Sequence, residues 1–155
     1  MIKIGTRSSE LALWQANTVA RQLKNLGHST KIIKIDSIGD QVLDKPLYEL
    51  GVTGVFTKSL DIALINGDID IAVHSLKDVP TKLPEGVIQA AVLKRGNYND
   101  VLILKKDENF FENEIATIAT GSLRRKAQWL HRYPKHDIIG LRGNVNTRLQ
   151  KQKDS

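Results

Sequence analysis

The chain has 155 residues, a formal net charge of +6 at pH 7 and no cysteine. Its length predicts about one domain and leaves room for two small ones. A content of 41% hydrophobic and 26% charged residues is typical of a globular protein and excludes a disordered chain. The lack of cysteine excludes disulfides, thiolate metal sites and a cysteine nucleophile within these residues.

Alternating strands and helices are predicted from the first residues onward. The predicted elements of the first part are strands at 2–6, 30–36, 69–73 and 87–93, helices at 9–26 and 54–66, and a long loop at 37–53. In the first helix the apolar residues recur at helical spacing, Ser8 or Ser9 can cap the start, and Gly27 can end it. Because a strand begins almost at the first residue, we expect no signal peptide and a cytoplasmic protein. No apolar run approaches the ~18 residues of a membrane span.

A second unit is predicted after a crossing at 94–99. Its elements are strands at 101–104, 116–119 and 137–141 and helices at 122–132 and 144–153. Alternation of this kind predicts an α/β fold with mainly parallel sheets, organised as domains 1–97 and 98–155. Three strands are few for a sheet, so we expect the second domain to be cut short.

Positive charge is concentrated at the end of the chain. Residues 117–155 carry nine Lys and Arg against two Asp. Such an excess indicates an anionic partner, for example a phosphate, a polycarboxylate or a nucleic acid. A solvated basic face is the plainer alternative.

One local pattern occurs four times. A strand ends, a hydroxyl or small residue follows, and a helix begins with a basic residue nearby; the four segments are 6–9, 74–77, 120–125 and 141–144. Helix N-termini bind anions, and strand ends line the ligand crevice of open α/β sheets. Arginine suits carboxylates because its planar fork donates two parallel hydrogen bonds. The pattern predicts a cleft between two α/β units that holds a ligand with several negative groups.

Asp78 is the exception among these cations. A carboxylate beside Lys77 in a cationic cleft can stabilise a developing positive charge or move a proton. The alternative is that Asp78 only caps a turn before Pro80. His28, His131 and His136 have no carboxylate at ligand spacing, so we predict no metal site. Trp14 and Trp129 fall on helices, where core packing is the expected use.

Four segments resemble the porphobilinogen deaminase (hydroxymethylbilane synthase) family, in the family's order and over nearly the whole chain. They are residues 5–16 (GTRSSELALWQA), 70–80 (DIAVHSLKDVP), 120–125 (TGSLRR) and 141–149 (LRGNVNTRL). The resemblance implies an enzyme of tetrapyrrole biosynthesis, a transferase that joins four porphobilinogen molecules into hydroxymethylbilane and releases ammonia at each step. It also implies a dipyrromethane cofactor attached to a cysteine.

The family fold that the resemblance implies has three α/β domains. The first two are similar to periplasmic binding proteins (type II) around a cleft. By matching position, Asp78 is the family's catalytic aspartate. The resemblance also implies which residues bind the carboxylates of substrate and cofactor: the basic residues Arg7, Lys77, Arg124, Arg125, Arg142 and Arg148. The hydroxyl residues that match positions in the same cleft are Ser9, Ser75, Thr120 and Ser122.

The sequence departs from the family pattern in two ways. Thr53 stands where family members often have a lysine, which predicts weaker anion binding by that loop. The sequence contains no cysteine to carry the cofactor, and we expect the third domain and the stretch that returns to complete the first domains to lie outside this chain. We therefore expect about the N-terminal half of a monomeric enzyme, inactive alone.

Two alternatives to the enzyme remain open at this stage. A non-catalytic anion-binding module of the periplasmic-binding-protein type would use the same arginines. Nucleic-acid binding through 117–155 is less favoured because only Trp129 and Tyr133 provide aromatic rings there, and we expect neither nucleic acid nor membrane as a partner.

Overall fold

The computed structural model of the chain describes residues 1–37, 54–104, 110–112 and 115–154. Residues 38–53 of the predicted loop, including Thr53, lie outside the described residues. The chain divides into two compact units, Met1–Val92 and Leu93–Ser155. The three strand pairs that the described residues form are all parallel, so the predicted α/β class with mainly parallel sheets is confirmed.

Unit 1 is a three-stranded parallel sheet with a helix on each face. Its elements are β1 (Ile2–Thr6), α1 (Glu10–Asn25), β2 (Thr30–Lys34), α2 (Lys58–Ile65) and β3 (Ile71–Ala72). The strand order is β2-β1-β3, which puts β1 in the centre. Ile4 of β1 is opposite Ile32 of β2 and Ile71 of β3.

The core of unit 1 has two layers because successive side chains of a strand point to opposite faces. On one face, Ile4 and Ala16 are fully buried and Ile32 packs against them. On the other face, the fully buried Leu60 packs with Ile69, and Ile33 covers them. The neighbours Ile32 and Ile33 thus serve different layers, as expected for a sheet covered on both sides.

Unit 2 is built on a two-stranded parallel sheet. Its elements are a 3-10 turn at Phe110–Glu112, β4 (Thr117–Ala119), α3 (Leu123–Arg132), β5 (Asp137–Ile139) and α4 (Val145–Asp154). Aromatic rings contact one another in this unit: the Trp129 and Tyr133 centroids are 5.0 Å apart, and Tyr133 stacks on His136 at 5.0 Å. Trp129 Nε1 donates a hydrogen bond to His136 Nδ1 at 3.3 Å.

Three sequence predictions are wrong, two of them about strands and one about core packing. The predicted strands at 87–93 and 101–104 have no strand backbone, and many of their large apolar side chains are exposed, including Ile88 and Val101. β-Branched composition favours strand backbone, but a strand forms only by pairing, and no described segment pairs with 87–104. Trp14 is 64% exposed rather than packed in the core, because α1 buries its alanine face.

Within the described residues, no helix is both long enough and apolar enough to cross a bilayer.

Candidate functional site

The carboxyl ends of β1 and β3 meet because the two strands are parallel neighbours. Gly5 is opposite Ala72, so the chain leaves both strands at the same edge of the sheet. After β1 the chain runs through Arg7 and Ser9 into α1, and after β3 it runs through Ser75 into a 3-10 turn at Leu76–Asp78. The predicted helix start after His74 is therefore only one short turn, which has too few aligned peptides to act as an anion-binding helix end.

Asp78 lies between two cations at this edge. Its Oδ2 is 3.9 Å from Arg7 Nη1, and its Oδ1 is 3.3 Å from Lys77 Nζ. The Asp78 and Arg7 side chains are only 15% and 18% exposed, whereas Lys77 is 81% exposed. The Asp78–Arg7 pair is thus the shielded one, and Lys77 adds a solvated charge beside it.

Two further residues contact the side chains at this edge of the sheet. The Arg7 guanidinium lies 4.2 Å from the centroid of the Phe56 ring, a cation–π contact. The Gln15 side-chain amide donates to Ser75 Oγ at 3.1 Å. Sequence reasoning missed both roles, since neither a phenylalanine 49 residues away nor a glutamine inside α1 carries a local signal of its partner.

His74 lies next to the Asp78 turn with its Nε2 buried and without a hydrogen-bond partner among the described residues. Burial lowers the pKa of His74 below its usual 6.5; the nearby carboxylates of Asp61 and Asp78 oppose this effect, and Arg7 adds to it. The ring is therefore neutral at pH 7 and adds no positive charge beside the Asp78 carboxylate.

We expect the His74 ring resonances to titrate below pH 6.5 in an NMR titration of the full-length protein, with His74→Gln used to assign them. Because the pKa of His74 is lower in the folded state, the unfolded state binds more protons between the folded-state pKa and pH 6.5. The contribution of His74 to stability is therefore complete above pH 6.5 and is lost as the pH falls toward the folded-state pKa. A midpoint at or above 6.5 would contradict this assignment.

In unit 2, two strand-end loops lie side by side. The loop after β4 holds Gly121, and the loop after β5 holds Leu141. A Cβ on Gly121 would be 2.8 Å from the Leu141 carbonyl oxygen, so the glycine permits this close approach. Thr120 and Arg142, which occupy these two loops, are thereby brought to one edge of the unit.

The adjacent arginines of α3 share one carboxylate. Asp100 Oδ1 accepts from Arg125 Nη2 at 2.7 Å, and its Oδ2 accepts from Arg124 Nη2 at 3.0 Å. The hydrogen bond from Arg125 lowers the pKa of Asp100 most, and the one from Arg124 lowers it further. Sequence reasoning did not single out Asp100, because a lone acid 24 residues before its partners shows no periodic relation to them.

The remaining two predicted arginines lie in and after the β5 loop. Arg148 Nε donates to the carbonyl of Gly143 at 2.8 Å. Burial, followed by the positive charges of Arg125 and Arg142, lowers the pKa of Arg148. A guanidinium stays protonated at neutral pH, so three like charges act on each other at this edge, which favours an anion there.

The predicted hydroxyl residues make local contacts. Ser9 Oγ accepts from the Ala12 amide at 3.4 Å and caps α1, as predicted. Ser122 Oγ accepts from the Arg125 amide at 3.3 Å, and Thr120 Oγ1 accepts from the Ser122 amide at 3.2 Å. A hydroxyl that accepts retains its own donor, so capping does not prevent these groups from donating to an anion.

The two units thus each hold a cluster of predicted site residues. In unit 1, Arg7, Lys77 and Asp78 lie together; in unit 2, Arg124 and Arg125 lie together, and Arg148 lies within electrostatic reach of Arg125. Guanidiniums and hydroxyls can bind carboxylates by charge-assisted hydrogen bonds. No group of three or more histidine, aspartate or glutamate side chains suited to a metal ion occurs in the parts of the chain that the structure describes.

Comparison with known proteins gives one consistent result. The profile of the family described as "Porphobilinogen deaminase, dipyromethane cofactor binding domain" matches residues 2–155. Similar curated proteins include a probable porphobilinogen deaminase of Methanocaldococcus jannaschii, 53% identical over 99% of this chain and 52% of the relative. The porphobilinogen deaminases of Syntrophotalea carbinolica and a Nitratiruptor species are 46% and 45% identical, each over 99% of this chain and 50% of the relative. The chain thus spans about half the length of the curated relatives it matches.

Proposed function

Because this chain belongs to the porphobilinogen deaminase family, we propose that the whole protein joins four porphobilinogen molecules head to tail into hydroxymethylbilane and releases one ammonia at each step. The observation that carries the proposal is the shielded pairing of Asp78 with Arg7 where two parallel strands end together. The 155 residues alone are expected not to turn over, since they span about half of the relatives.

The architecture that we propose for this activity is a pair of periplasmic-binding-protein-like units around a cleft, with domains at 1–97 and 98–155. The parallel order β2-β1-β3 with helices on both faces supports this proposal for unit 1. The strand ends of such units line a ligand crevice. Both clusters of site residues lie at strand ends, as this arrangement requires.

Substrate and cofactor would be held through their carboxylates. Each pyrrole ring carries an acetate and a propionate, so a growing chain needs many cations. We assign this binding to Arg7, Ser9, Ser75, Lys77, Thr120, Ser122, Arg124, Arg125, Arg142 and Arg148. The guanidiniums and hydroxyls fit a dipyrromethane with its four carboxylates, whereas its attachment cysteine is not among these residues. When bound, dipyrromethane supplies the primer to which substrate is added.

The proposed role of Asp78 is electrostatic. When the carbon–nitrogen bond of the protonated aminomethyl group of porphobilinogen breaks, ammonia leaves with the bonding electron pair, and the methylene carbon that stays on the ring becomes cationic. A carboxylate beside the ring stabilises this charge more than it stabilises the bound substrate, which accelerates the step. Pre-oriented groups of this kind contribute ~3–4 kcal/mol to other enzymes. Arg7 and the Phe56 contact keep the carboxylate in a fixed position.

The test uses the full-length protein. We expect it to release ammonia from porphobilinogen and to have an intact mass above that of its sequence by one dipyrromethane. A protein that binds porphobilinogen reversibly, releases no ammonia and has the unmodified mass would instead be an anion-binding module. The nucleic-acid alternative would need available aromatic rings, whereas Trp129 and Tyr133 pack against each other.

A further inference from the structure

We propose that Asp100 is a positioning residue, whose carboxylate holds the guanidiniums of Arg124 and Arg125 side by side as a two-arginine site for a substrate carboxylate. This inference rests on the proposed function and assigns a role to a residue outside the family motifs quoted above. Asp100 lies in the segment that enters unit 2, far in sequence from both arginines.

The geometry divides the Asp100 carboxylate between the two arginines. Each oxygen accepts from one guanidinium, at 2.7 Å from Arg125 and 3.0 Å from Arg124. Both distances are close to those of charge-assisted hydrogen bonds. One acid therefore fixes the separation of two cations, which a pair of independent ion pairs would not do.

Without such a bridge the two side chains would diverge. Consecutive residues of a helix project about 100° apart, and two guanidinium charges repel each other. Each long side chain also loses rotamer entropy when it is ordered. The α3 backbone alone therefore does not bring Arg124 and Arg125 together, and Asp100 provides the missing constraint.

Arg124 is fixed at a second point. Its Nη1 donates to Gln128 Oε1 at 2.6 Å, one turn further along α3, while its Nη2 donates to Asp100. Arg125 contributes one of its five N–H donors to Asp100. Its guanidinium therefore keeps donors for a ligand carboxylate while the bond to Asp100 restrains its orientation.

The surrounding charge adds a reason for an acid at this position. Arg125 and Arg142 both act on Arg148 and lower its pKa. Asp100 offsets part of this repulsion, so that the arginines can stay close before an anionic ligand arrives. All three members of the bridge remain accessible, with side-chain exposures of 42% for Asp100, 60% for Arg124 and 48% for Arg125.

The test compares Asp100→Asn, Asp100→Glu and the parent in the full-length protein. Asparagine keeps the size but loses the charge and one acceptor, so we expect KM for porphobilinogen to rise about tenfold, as for the loss of a charged hydrogen-bond network, with kcat changed less than threefold. Asp100→Glu keeps the charge, so we expect it to show at most half of the rise in KM that Asp100→Asn shows. Asp154→Asn is the matched control, because it removes the same charge from unit 2 at a carboxylate that accepts a hydrogen bond from Gln150, one turn away.

A second readout does not depend on turnover. Arginine side-chain NMR of the full-length protein should show the Nε–Hε groups of Arg124 and Arg125 becoming more mobile in Asp100→Asn and staying ordered in Asp154→Asn. An unchanged KM with unchanged arginine order would overturn the proposal. A lower KM in Asp100→Asn would also overturn it, by showing that Asp100 competes with substrate. If the parent released no ammonia, the proposed function would fail, while the NMR comparison would still decide whether Asp100 orders the arginines.

Discussion

Replacing Asp78 with asparagine is expected to lower the rate of ammonia release by the full-length protein about 10²–10³-fold, the usual cost of removing one group that stabilises transition-state charge. Asparagine keeps the shape of the side chain but has no negative charge to stabilise the cationic methylene carbon on the pyrrole ring. The change should fall on kcat, because Asp78 acts when charge develops rather than when substrate binds. Steady-state measurement of ammonia from porphobilinogen checks this result.

A matched control separates chemistry from folding. Asp68→Asn removes the same charge from an exposed position in the same unit, and we expect it to retain parental kcat. Both variants should unfold thermally within a few degrees of the parent, since Arg7 keeps its contact with the Phe56 ring in either case. If Asp78→Asn retained kcat within threefold of the parent, the electrostatic role of Asp78 would be wrong.

Replacing Gly143 with alanine is expected to destabilise unit 2 and to weaken substrate binding together. Gly143 has φ +114°, which side-chain-bearing residues rarely adopt, and its Cβ would be 2.7 Å from Thr147 Cγ2. Thr147 is itself held by Asn144, whose Oδ1 accepts from the Thr147 amide at 3.0 Å. Backbone strain costs about 1–3 kcal/mol, and crowding of a fixed neighbour costs a similar amount, about 1–3 kcal/mol.

The functional part of this prediction comes from Arg148. Its Nε donates to the Gly143 carbonyl, so a shift of that carbonyl should displace the guanidinium and raise KM for porphobilinogen. Gly140→Ala is the control in the same loop region, because a Cβ there meets nothing within 4 Å. Thermal unfolding of the two variants at the same temperature, with the same KM, would show that the Gly143 conformation is not required.

The elements of this fold could be predicted from sequence wherever the signal is local. The cap at Ser9 and the helices at 122–132 and 144–153 follow from capping residues and periodicity, and the structure has them within one or two residues. The sequence predicts that Arg7 and Asp78 each follow a strand, whereas the pairing of β1 with β3 that brings these two residues together is a finding of the structure. The 3.9 Å separation and the shielding of the pair required coordinates.

The parts that could not be predicted depend on distant partners. Asp100 meets Arg124 and Arg125 only after the chain has folded back, and Phe56 meets Arg7 across the sheet edge. The strand predicted at 87–93 had the right composition but lacks a pairing segment among the described residues. Long-range pairing depends on the whole chain, so the residue pattern within one segment does not identify the partner of that segment.

The contrast between Trp14 and Trp129 gives the chain two optical reporters, one in each unit. Trp14 is exposed to water on α1, whereas Trp129 is hydrogen-bonded to His136 and packed against the Tyr133 ring. Iodide in solution therefore quenches the fluorescence of the first indole far more than that of the second, and the residual emission reports on unit 2 alone. Local unfolding of either unit can thus be followed separately by intrinsic fluorescence, without an added dye.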